Sequence, residues 1–183
     1  DAYIGNAFTS KGTVSVSGSG SSWIIGASDL YVGNAGNGTL IATDSGLAKV
    51  DNGQGTVNVA YSSGSTGSVA IGANSGETAD SPGTIKAATI QFGGGTGELV
   101  FNHTDTSGSF AFAPAVISGS GDSAILVESG YTALTGDVSG FTGTASISGG
   151  TLELDNAFGG SVTLSGSGGL SGTGTVAGDV TFG

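Results

Sequence analysis

Three residues of this 183-residue chain carry the side chains of a nucleophilic catalytic triad. His103, the only histidine, precedes Asp105 by two positions, and Ser123 follows within residues 121–124, Gly-Asp-Ser-Ala. A Ser/His/Asp arrangement performs acyl transfer when the imidazole accepts the proton of the serine hydroxyl. Ser123 lacks the Gly-x-Ser-x-Gly turn that exposes such a nucleophile. The sequence therefore predicts no triad, and we expect His103 to face solvent where a strand closes at residues 102–104.

Carboxylates are the other groups suited to chemistry. Two acids that flank a glycosidic bond can hydrolyse it, and clustered carboxylate oxygens bind calcium. Here the acids are scattered, arginine and cysteine are absent, and the Gly-Gly-x-Gly-x-Asp calcium repeat does not occur. We predict a protein that is not an enzyme and has no cofactor or metal site. A glycosidase is the lesser alternative, because acids distant in sequence can meet on one face of a repeat fold. The acids concerned include Asp29, Asp44, Asp51, Glu77 and Asp80.

Aromatic side chains are the best candidates for a recognition surface, because exposed aromatics dominate many binding hot spots. We single out Trp23, Tyr31 and Tyr61, with Tyr3 and Tyr131 as secondary candidates. The alternative for Trp23 is structural. Large aromatic side chains are usually buried, so Trp23 is also expected to plug an end or a corner of a coil.

The charge balance limits the partners of the chain. Three lysines stand against 14 acidic residues, which gives a formal net charge of −11. A nucleic acid or an anionic membrane surface would be repelled at long range, so neither is expected as a partner. Lys11, Lys49 and Lys86 are too far apart in sequence to predict a cationic patch. No apolar stretch approaches the roughly 20 residues of a membrane-spanning helix.

A short repeat organises the chain. Its unit is glycine, then threonine, serine or another polar residue, then apolar residues that alternate with others, and it predicts strands of about five residues. We expect the leading glycine to supply a turn with positive φ. The copies begin at Gly12, Gly38, Gly55, Gly67, Gly97, Gly150 and Gly160.

Strands this short are stable only when they stack. Successive turns in register give each backbone group a partner above and below and bury a continuous apolar column. An antiparallel sandwich is the rival, but tight Asn-Gly hairpin turns are limited to Asn37-Gly38 and Asn52-Gly53. The sequence therefore predicts an all-β parallel β-helix, and a period of about 20 residues predicts roughly nine short coils.

Three motif groups resemble bacterial autotransporter passengers with passenger-associated β-strand repeats. The first resembles the Ser-Trp, Leu-x-Val-Gly and Gly-x-Gly-x-Leu unit of that family, and the third ends like the repeat that commonly precedes the translocator. The groups are residues 14–23, 29–33 and 36–40; residues 83–85, 90–93 and 97–105; and residues 117–121, 134–136, 141–143, 148–152 and 170–176.

The resemblance implies a right-handed parallel β-helix spanning residues 1–183 as one unit, with repeat subregions of about 1–80 and 81–183. It also implies type V secretion, a C-terminal outer-membrane barrel in the full-length protein, and a location on the surface of a Gram-negative bacterium or secreted from it. The expected role is that of an adhesin or virulence module that binds a host receptor, the extracellular matrix or a second copy. The alternative is a stalk or folding scaffold for another domain.

Overall fold

Strands make up the framework of the chain. The computed structural model describes residues 1–119 and 122–183, so Ser120 and Gly121, which belong to the third motif group and to the segment before Ser123, lie outside the described residues. One 3-10 turn occurs at Asp51–Gly53. None of the described segments forms a helix long and apolar enough to cross a membrane. The strands are β1 (Ala2–Ile4), β2 (Lys11–Ser17), β3 (Ser22–Ile25), β4 (Leu30–Val32), β5 (Asn37–Thr43), β6 (Leu47–Val50), β7 (Thr56–Val59), β8 (Thr66–Gly72), β9 (Thr84–Lys86), β10 (Thr89–Phe92), β11 (Thr96–Asn102), β12 (Ala111–Phe112), β13 (Val116–Ser118), β14 (Ala124–Ser129), β15 (Tyr131–Leu134), β16 (Thr144–Ile147), β17 (Thr151–Leu154), β18 (Ser161–Leu164), β19 (Gly169–Ser171) and β20 (Val180–Phe182).

The strands stack coil upon coil. A first sheet has the order β1-β4-β7-β10-β13, and a long sheet has the order β2-β5-β8-β11-β14-β16-β18-β20. The third face holds two sheets, β3-β6-β9 and β12-β15-β17-β19. Pairing within each sheet is parallel. This arrangement confirms the predicted parallel β-helix and excludes the antiparallel sandwich.

Coil length changes along the molecule, as the register partners of the long sheet show. Each partner marks one complete coil, and the early partners are farther apart in sequence than the late ones. The early series is Gly12, Gly38, Gly67 and Gly97, and the late series is Ala124, Thr144 and Ser161. The long sheet has eight strands within the described residues, slightly fewer than the number of coils expected, because the early coils are longer than the expected period.

The core runs along the inside of the coils. On the long sheet the alternation of side chains directs one row inward, and its members Leu40, Val69, Leu99 and Ile125 are fully buried. Each such side chain contributes about 1.5–3 kcal/mol relative to an exposed one. The repeat therefore codes for a continuous apolar column.

The leading glycines of the repeat serve close packing and not the expected turn. None of the seven has a positive φ, whereas Gly33, at the end of β4, has φ 78°. A Cβ atom on Gly38 would lie 2.2 Å from the backbone nitrogen of Gly33, and one on Gly67 would lie 2.3 Å from the carbonyl oxygen of Val32. The expectation of positive φ was wrong, because Gly38 and Gly67 lie within the extended strands β5 and β8. They are glycines because nearby backbone atoms leave no room for a side chain.

The later coils are narrower because the first sheet stops. After β13 the first face retains, within the described residues, only single bridges such as Val138 to Phe158. A stack of buried phenylalanines fills the corner, with ring centroids 5.3 Å apart between Phe92 and Phe141 and 5.6 Å apart between Phe141 and Phe158. Aromatic packing thus replaces strand pairing on this face.

Candidate binding surface

Three tyrosines from successive coils form a cluster on the outside of the early coils, here called the tyrosine cluster. The rings of Tyr3 and Tyr31 stack with centroids 5.0 Å apart at an interplanar angle of 20°. Tyr61 meets Tyr31 edge-on, at 5.2 Å and 82°. Tyr3 is 46% exposed and Tyr61 is 52% exposed, so the cluster offers aromatic area and hydroxyl groups to solvent.

The first sheet positions the tyrosine cluster. Tyr3 and Tyr31 are direct register partners in β1 and β4. The next position of this row is Asn58, which is buried. Ala60 then adopts a left-handed conformation with φ 53°, and the backbone nitrogen of Tyr61 donates to the carbonyl of Gly33 at 2.9 Å. The turn at Ala60 therefore brings the third ring back to Tyr31.

Polar groups border the tyrosine cluster. The Tyr3 hydroxyl donates to the Asp1 carboxylate at 3.3 Å, and the Asn34 amide donates to Asn6 Oδ1 at 2.8 Å at the neighbouring corner. The pKa of Tyr31 is raised, first by burial and then by the neighbouring Tyr61, Asp29 and Tyr3. The shift keeps the Tyr31 hydroxyl protonated to a higher pH than that of a solvated tyrosine, so it can donate a hydrogen bond to a partner.

Trp23 belongs to a different environment. It pairs in register with the buried Ala48, so its ring points inward, and it packs half-buried against the core near the first coil. The alternative expected for Trp23, a plug at the end of a coil, agrees with this position. Its neighbour Ile24 points outward and is 53% exposed. A binding role for Trp23 stays a prediction.

His103 does not face solvent, so that expectation was wrong. Its side chain is completely buried, with Nε2 2.8 Å from the Thr132 hydroxyl and the ring centroid 4.5 Å from that of Phe110. Nδ1 has no hydrogen-bond partner in the described part of the chain. Burial lowers the pKa of His103, and the charge of Asp105 opposes this effect. The side chain is buried because the segment after β11 folds Phe110 over it.

The Ser/His/Asp arrangement is not assembled. Ser123 precedes β14, whose first residue Ala124 pairs with Glu98, whereas His103 lies five residues beyond Glu98. Ser123 lies one position before this pair, so it is six positions from His103, or roughly 20 Å along the strand direction at about 3.3 Å per residue. Hydrogen bonding from the Ser107 side chain, and then from the Ser107 backbone nitrogen at 2.8 Å, lowers the pKa of Asp105.

Other carboxylates serve as local hydrogen-bond acceptors. Asp29 accepts from the backbone nitrogen of Thr56 at 2.7 Å. Glu128 accepts from the Ser75 hydroxyl and from the backbone nitrogen of Gly76 at 2.8 Å, which ties the loop after β8 to β14. Within the described residues no three His, Cys, Asp or Glu side chains form a group suited to a metal ion.

Two lysines that are distant in sequence are neighbours in the fold. Lys49 in β6 and Lys86 in β9 are direct register partners on the third face. The expectation that the lysines form no patch was therefore wrong for this pair. The pairing could not be predicted from a regular coil length, because the two lysines are farther apart in sequence than any pair of register partners on the long sheet.

Comparison with known proteins gives partial matches. The chain is 36% identical over 125 residues to the uncharacterized lipoprotein YdeK of Escherichia coli K12, covering 67% of this chain and 9% of that protein. It is 32% identical over 145 residues to the uncharacterized protein YuaQ of the same organism, covering 79% of this chain and 10% of YuaQ. It is 38% identical over 102 residues to the adhesin BmaC autotransporter of Brucella suis, covering 54% of this chain and 3% of BmaC.

The chain thus spans a tenth or less of the length of each of these relatives. No family model and no solved structure matches it. The sequence resemblance to autotransporters is supported by the similarity to part of an autotransporter adhesin.

The sequence indicates Tyr31 and Tyr61 as binding candidates but does not show that they are neighbours. A signal was present, because Tyr3 and Tyr31 are 28 positions apart, and so are Asn6 and Asn34. Equal spacings between like residues indicate neighbouring coils once the coil length is known.

Proposed function

We propose that this chain is a β-helical part of a surface-displayed, autotransporter-like adhesin, and that it binds its partner through the tyrosine cluster without catalysing a reaction. The observation that carries the proposal is the cluster of Tyr3, Tyr31 and Tyr61, two of which are about half exposed on a regular parallel scaffold. The similarity to part of the BmaC adhesin supports the same role.

The cluster has the physical properties of a binding site. Tyrosine combines a large apolar ring with a hydroxyl group and has few rotatable bonds, so it is ordered on binding at low entropic cost. Ring stacking across coils fixes Tyr31 further before a partner arrives. Such preorganisation raises affinity because less freedom is lost in the complex.

The proposal includes a location and a class of partner. A lipoprotein and an autotransporter adhesin among the relatives support display on the outer surface of a Gram-negative cell, or secretion from it, by a type V route. The partner is a host-cell receptor, an extracellular-matrix protein or a second copy of the adhesin. A nucleic acid is disfavoured by the net charge of −11.

Binding of the purified chain to cultured host cells and to immobilised matrix proteins tests the proposal. The variant Tyr31→Ser/Tyr61→Ser is expected to lose binding by roughly tenfold or more, as is typical for hot-spot aromatics. Thr163→Ala/Thr181→Ala is the matched control, since it alters a hydroxyl pair on the long sheet of the late coils. Circular dichroism and the thermal midpoint verify that each variant is folded.

Two outcomes contradict the proposal. One is a wild-type chain that binds neither cells nor matrix nor itself. The other is a folded tyrosine variant that binds as well as the wild type.

A spacer is the second candidate function, and the unbroken eight-stranded sheet favours it because such a sheet forms an extended, regular body. In this case an in-frame deletion of the segment from the complete protein would preserve its binding to a purified ligand. It would reduce only adhesion between whole cells, where distance from the membrane matters.

A further inference from the structure

The third face of the β-helix is interrupted between two consecutive coils. In these coils β7 pairs with β10 on the first sheet and β8 pairs with β11 on the long sheet. On the third face, however, β9 ends one sheet and β12 begins another. The coils therefore separate on this face alone and leave a groove between the two strand edges.

The groove has an apolar interior. Residues 83–87 form one wall and residues 110–113 form the other, and together with Asn52 and Gly53 they enclose a cavity of about 390 Å³. Ile85 and Phe112 are buried beneath it, and Phe110 is partly buried. An occupant with small apolar side chains would gain burial there.

Backbone groups of both walls point into the groove. The nitrogen of Thr84 donates to the carbonyl of Gly46 at 2.8 Å, so the backbone N–H group of Thr84 points toward the β6 side and away from the groove. The carbonyl of Phe110 accepts from the nitrogen of Ala133 at 3.0 Å, so the backbone carbonyl of Phe110 points toward β15 and away from the groove. Because alternate residues of a strand direct their N–H and C=O groups to opposite sides, Ile85 and Ala111 face the groove. β9 and β12 are not paired with each other, so the N–H and C=O groups of Ile85 and Ala111 are available to an added strand.

The charge beside the groove is unusual for this protein. Lys86 is exposed on the wall, and Lys49 is its direct cross-strand neighbour, so two of only three cations are adjacent. Like charges in this position repel each other. Neither lysine has an ion-pair partner among the described residues. A carboxylate on an occupant would relieve the repulsion.

We propose that this groove binds an extended acidic peptide segment, which adds as a strand between β9 and β12 and joins the two sheets of the third face. The backbone of the peptide pairs with Ile85 and Ala111. Its apolar side chains cover Phe110 and the buried residues below, and its carboxylates face Lys86 and Lys49. Strand addition to a free sheet edge is an established mode of peptide recognition.

The test uses the intact chain and an acetylated, amidated, fluorescently labelled peptide of sequence Thr-Val-Glu-Val-Glu-Thr, with fluorescence anisotropy as the readout. Lys86→Glu is expected to weaken binding at least tenfold, and Lys49→Glu is expected to weaken it less. Lys11→Glu is the matched control with the same change in net charge on the long sheet, and it should bind nearly as the wild type does. Higher salt should weaken binding to the wild type.

Two further peptides separate backbone pairing from charge attraction. A peptide with an N-methyl group on the central valine retains both carboxylates but loses a backbone donor, and it should bind at least tenfold more weakly. A peptide with glutamine in place of both glutamates tests the acidic requirement. In nuclear magnetic resonance spectra, the amide signals of Ile85 and Ala111 should shift when the first peptide binds.

Four results would overturn the proposal. These are absence of binding up to millimolar peptide, equal binding of the N-methylated or the glutamine peptide, and an equal effect of Lys11→Glu and Lys86→Glu. The fourth is a dimer of the free chain that Lys86→Glu dissociates, which would identify a second copy as the occupant. Tyr31→Ser/Tyr61→Ser leaves the groove intact, so failure here is distinguishable from failure of the proposed adhesive function.

Discussion

The early and the late coils of this β-helix solve the same packing problem in different ways. The longer early coils place strands on three faces, whereas the shorter coils after β15 keep strands on two faces and single bridges on the first. The long sheet continues unchanged through both regions. The long sheet is thus the one sheet that continues from the early to the late described coils, while the second paired face changes from the first sheet to the third face.

The variation has functional consequences. The tyrosine cluster depends on the first sheet, which exists only in the early coils, and the groove depends on the interruption of the third face between β9 and β12. The late coils have shorter connections, and their two remaining sheets run without interruption to β19 and β20. The early coils therefore carry the recognition features that we propose.

The phenylalanine stack is the point at which the late coils are most vulnerable. Phe141→Ala removes a fully buried ring between Phe92 and Phe158 and is expected to cost about 3–5 kcal/mol of unfolding free energy. Because coils contact mainly their neighbours, hydrogen exchange should rise chiefly in residues 144–171. Phe182→Ala, at a ring that is 80% exposed, is the control and should change little. Equal loss of protection throughout both regions would contradict this picture.

The close-packed corners predict a second effect, in the early coils. Gly67→Ala places a methyl group 2.3 Å from the carbonyl oxygen of Val32, which forces the two coils apart and should cost on the order of 1–3 kcal/mol. Gly26→Ala is the matched control, because nothing lies within 4 Å of its added atom. Urea denaturation of both variants gives the comparison. If Gly67→Ala leaves the urea midpoint unchanged, the corner must have room for a methyl group.

Buried His103 predicts a pH dependence that originates in the early coils. Burial holds its folded-state pKa below the unfolded value of about 6.5, so the unfolded chain binds a proton first. The stability is therefore complete above about pH 6.5 and falls as the pH decreases toward the folded-state pKa. Urea midpoints measured between pH 7.5 and about 4.5 should decrease for the wild type. His103→Gln, whose side-chain amide can still form a hydrogen bond with Thr132, should show a flatter profile.

The aspartates Asp105 and Asp137 affect stability at lower pH than His103 does. Hydrogen bonds from Ser107 and Ser139 lower the pKa of Asp105 and of Asp137, so their stabilisation is present above the unfolded pKa of about 4 and is lost at more acidic pH. Identical profiles for the wild type and His103→Gln above that range would rule out His103 as the source.

The smallest expected effect concerns the loop after β8, which crosses from one coil to another. Ser75→Ala removes one exposed hydrogen bond to Glu128 and should cost less than about 1 kcal/mol, because the Gly76 nitrogen still binds the carboxylate. Amide exchange in residues 73–79 should nevertheless increase. Ser63→Ala, in an exposed turn of the same coil, should leave that exchange unchanged. An unaltered loop in Ser75→Ala would mean that backbone bonds alone hold it.

Many strands of the fold were predictable because each is determined by a short local sequence pattern. Alternation of apolar residues within four or five positions predicted strands such as Thr56–Val59 and Ser161–Leu164 at the observed bounds. The coil lengths were not predictable, since they depend on whether the first face holds a strand, and that depends on packing between coils.

The candidate site was harder to predict for the same reason. The pairing of Tyr3 with Tyr31 and of Lys49 with Lys86 follows from the strand register, which cannot be deduced from the sequence alone. Burial of His103 depends on Phe110, seven positions later, and on Thr132 in the next coil. Contacts that cross coils require the coil length before residue types can be interpreted.

Because the chain has no cysteine, engineered disulfides can test whether a single long sheet runs through coils of changing length. Thr39→Cys/Ser68→Cys joins register partners across one long early coil, and Thr144→Cys/Ser161→Cys joins partners across one short late coil. Both pairs should oxidise fully within the monomer, since neighbouring strands lie about 4.8 Å apart. The control pair Thr39→Cys/Glu98→Cys lies on strands separated by β8 and should not form a disulfide. Failure of the late-coil pair to oxidise, or equal oxidation of the Thr39→Cys/Glu98→Cys pair, would show that the long sheet does not have this register.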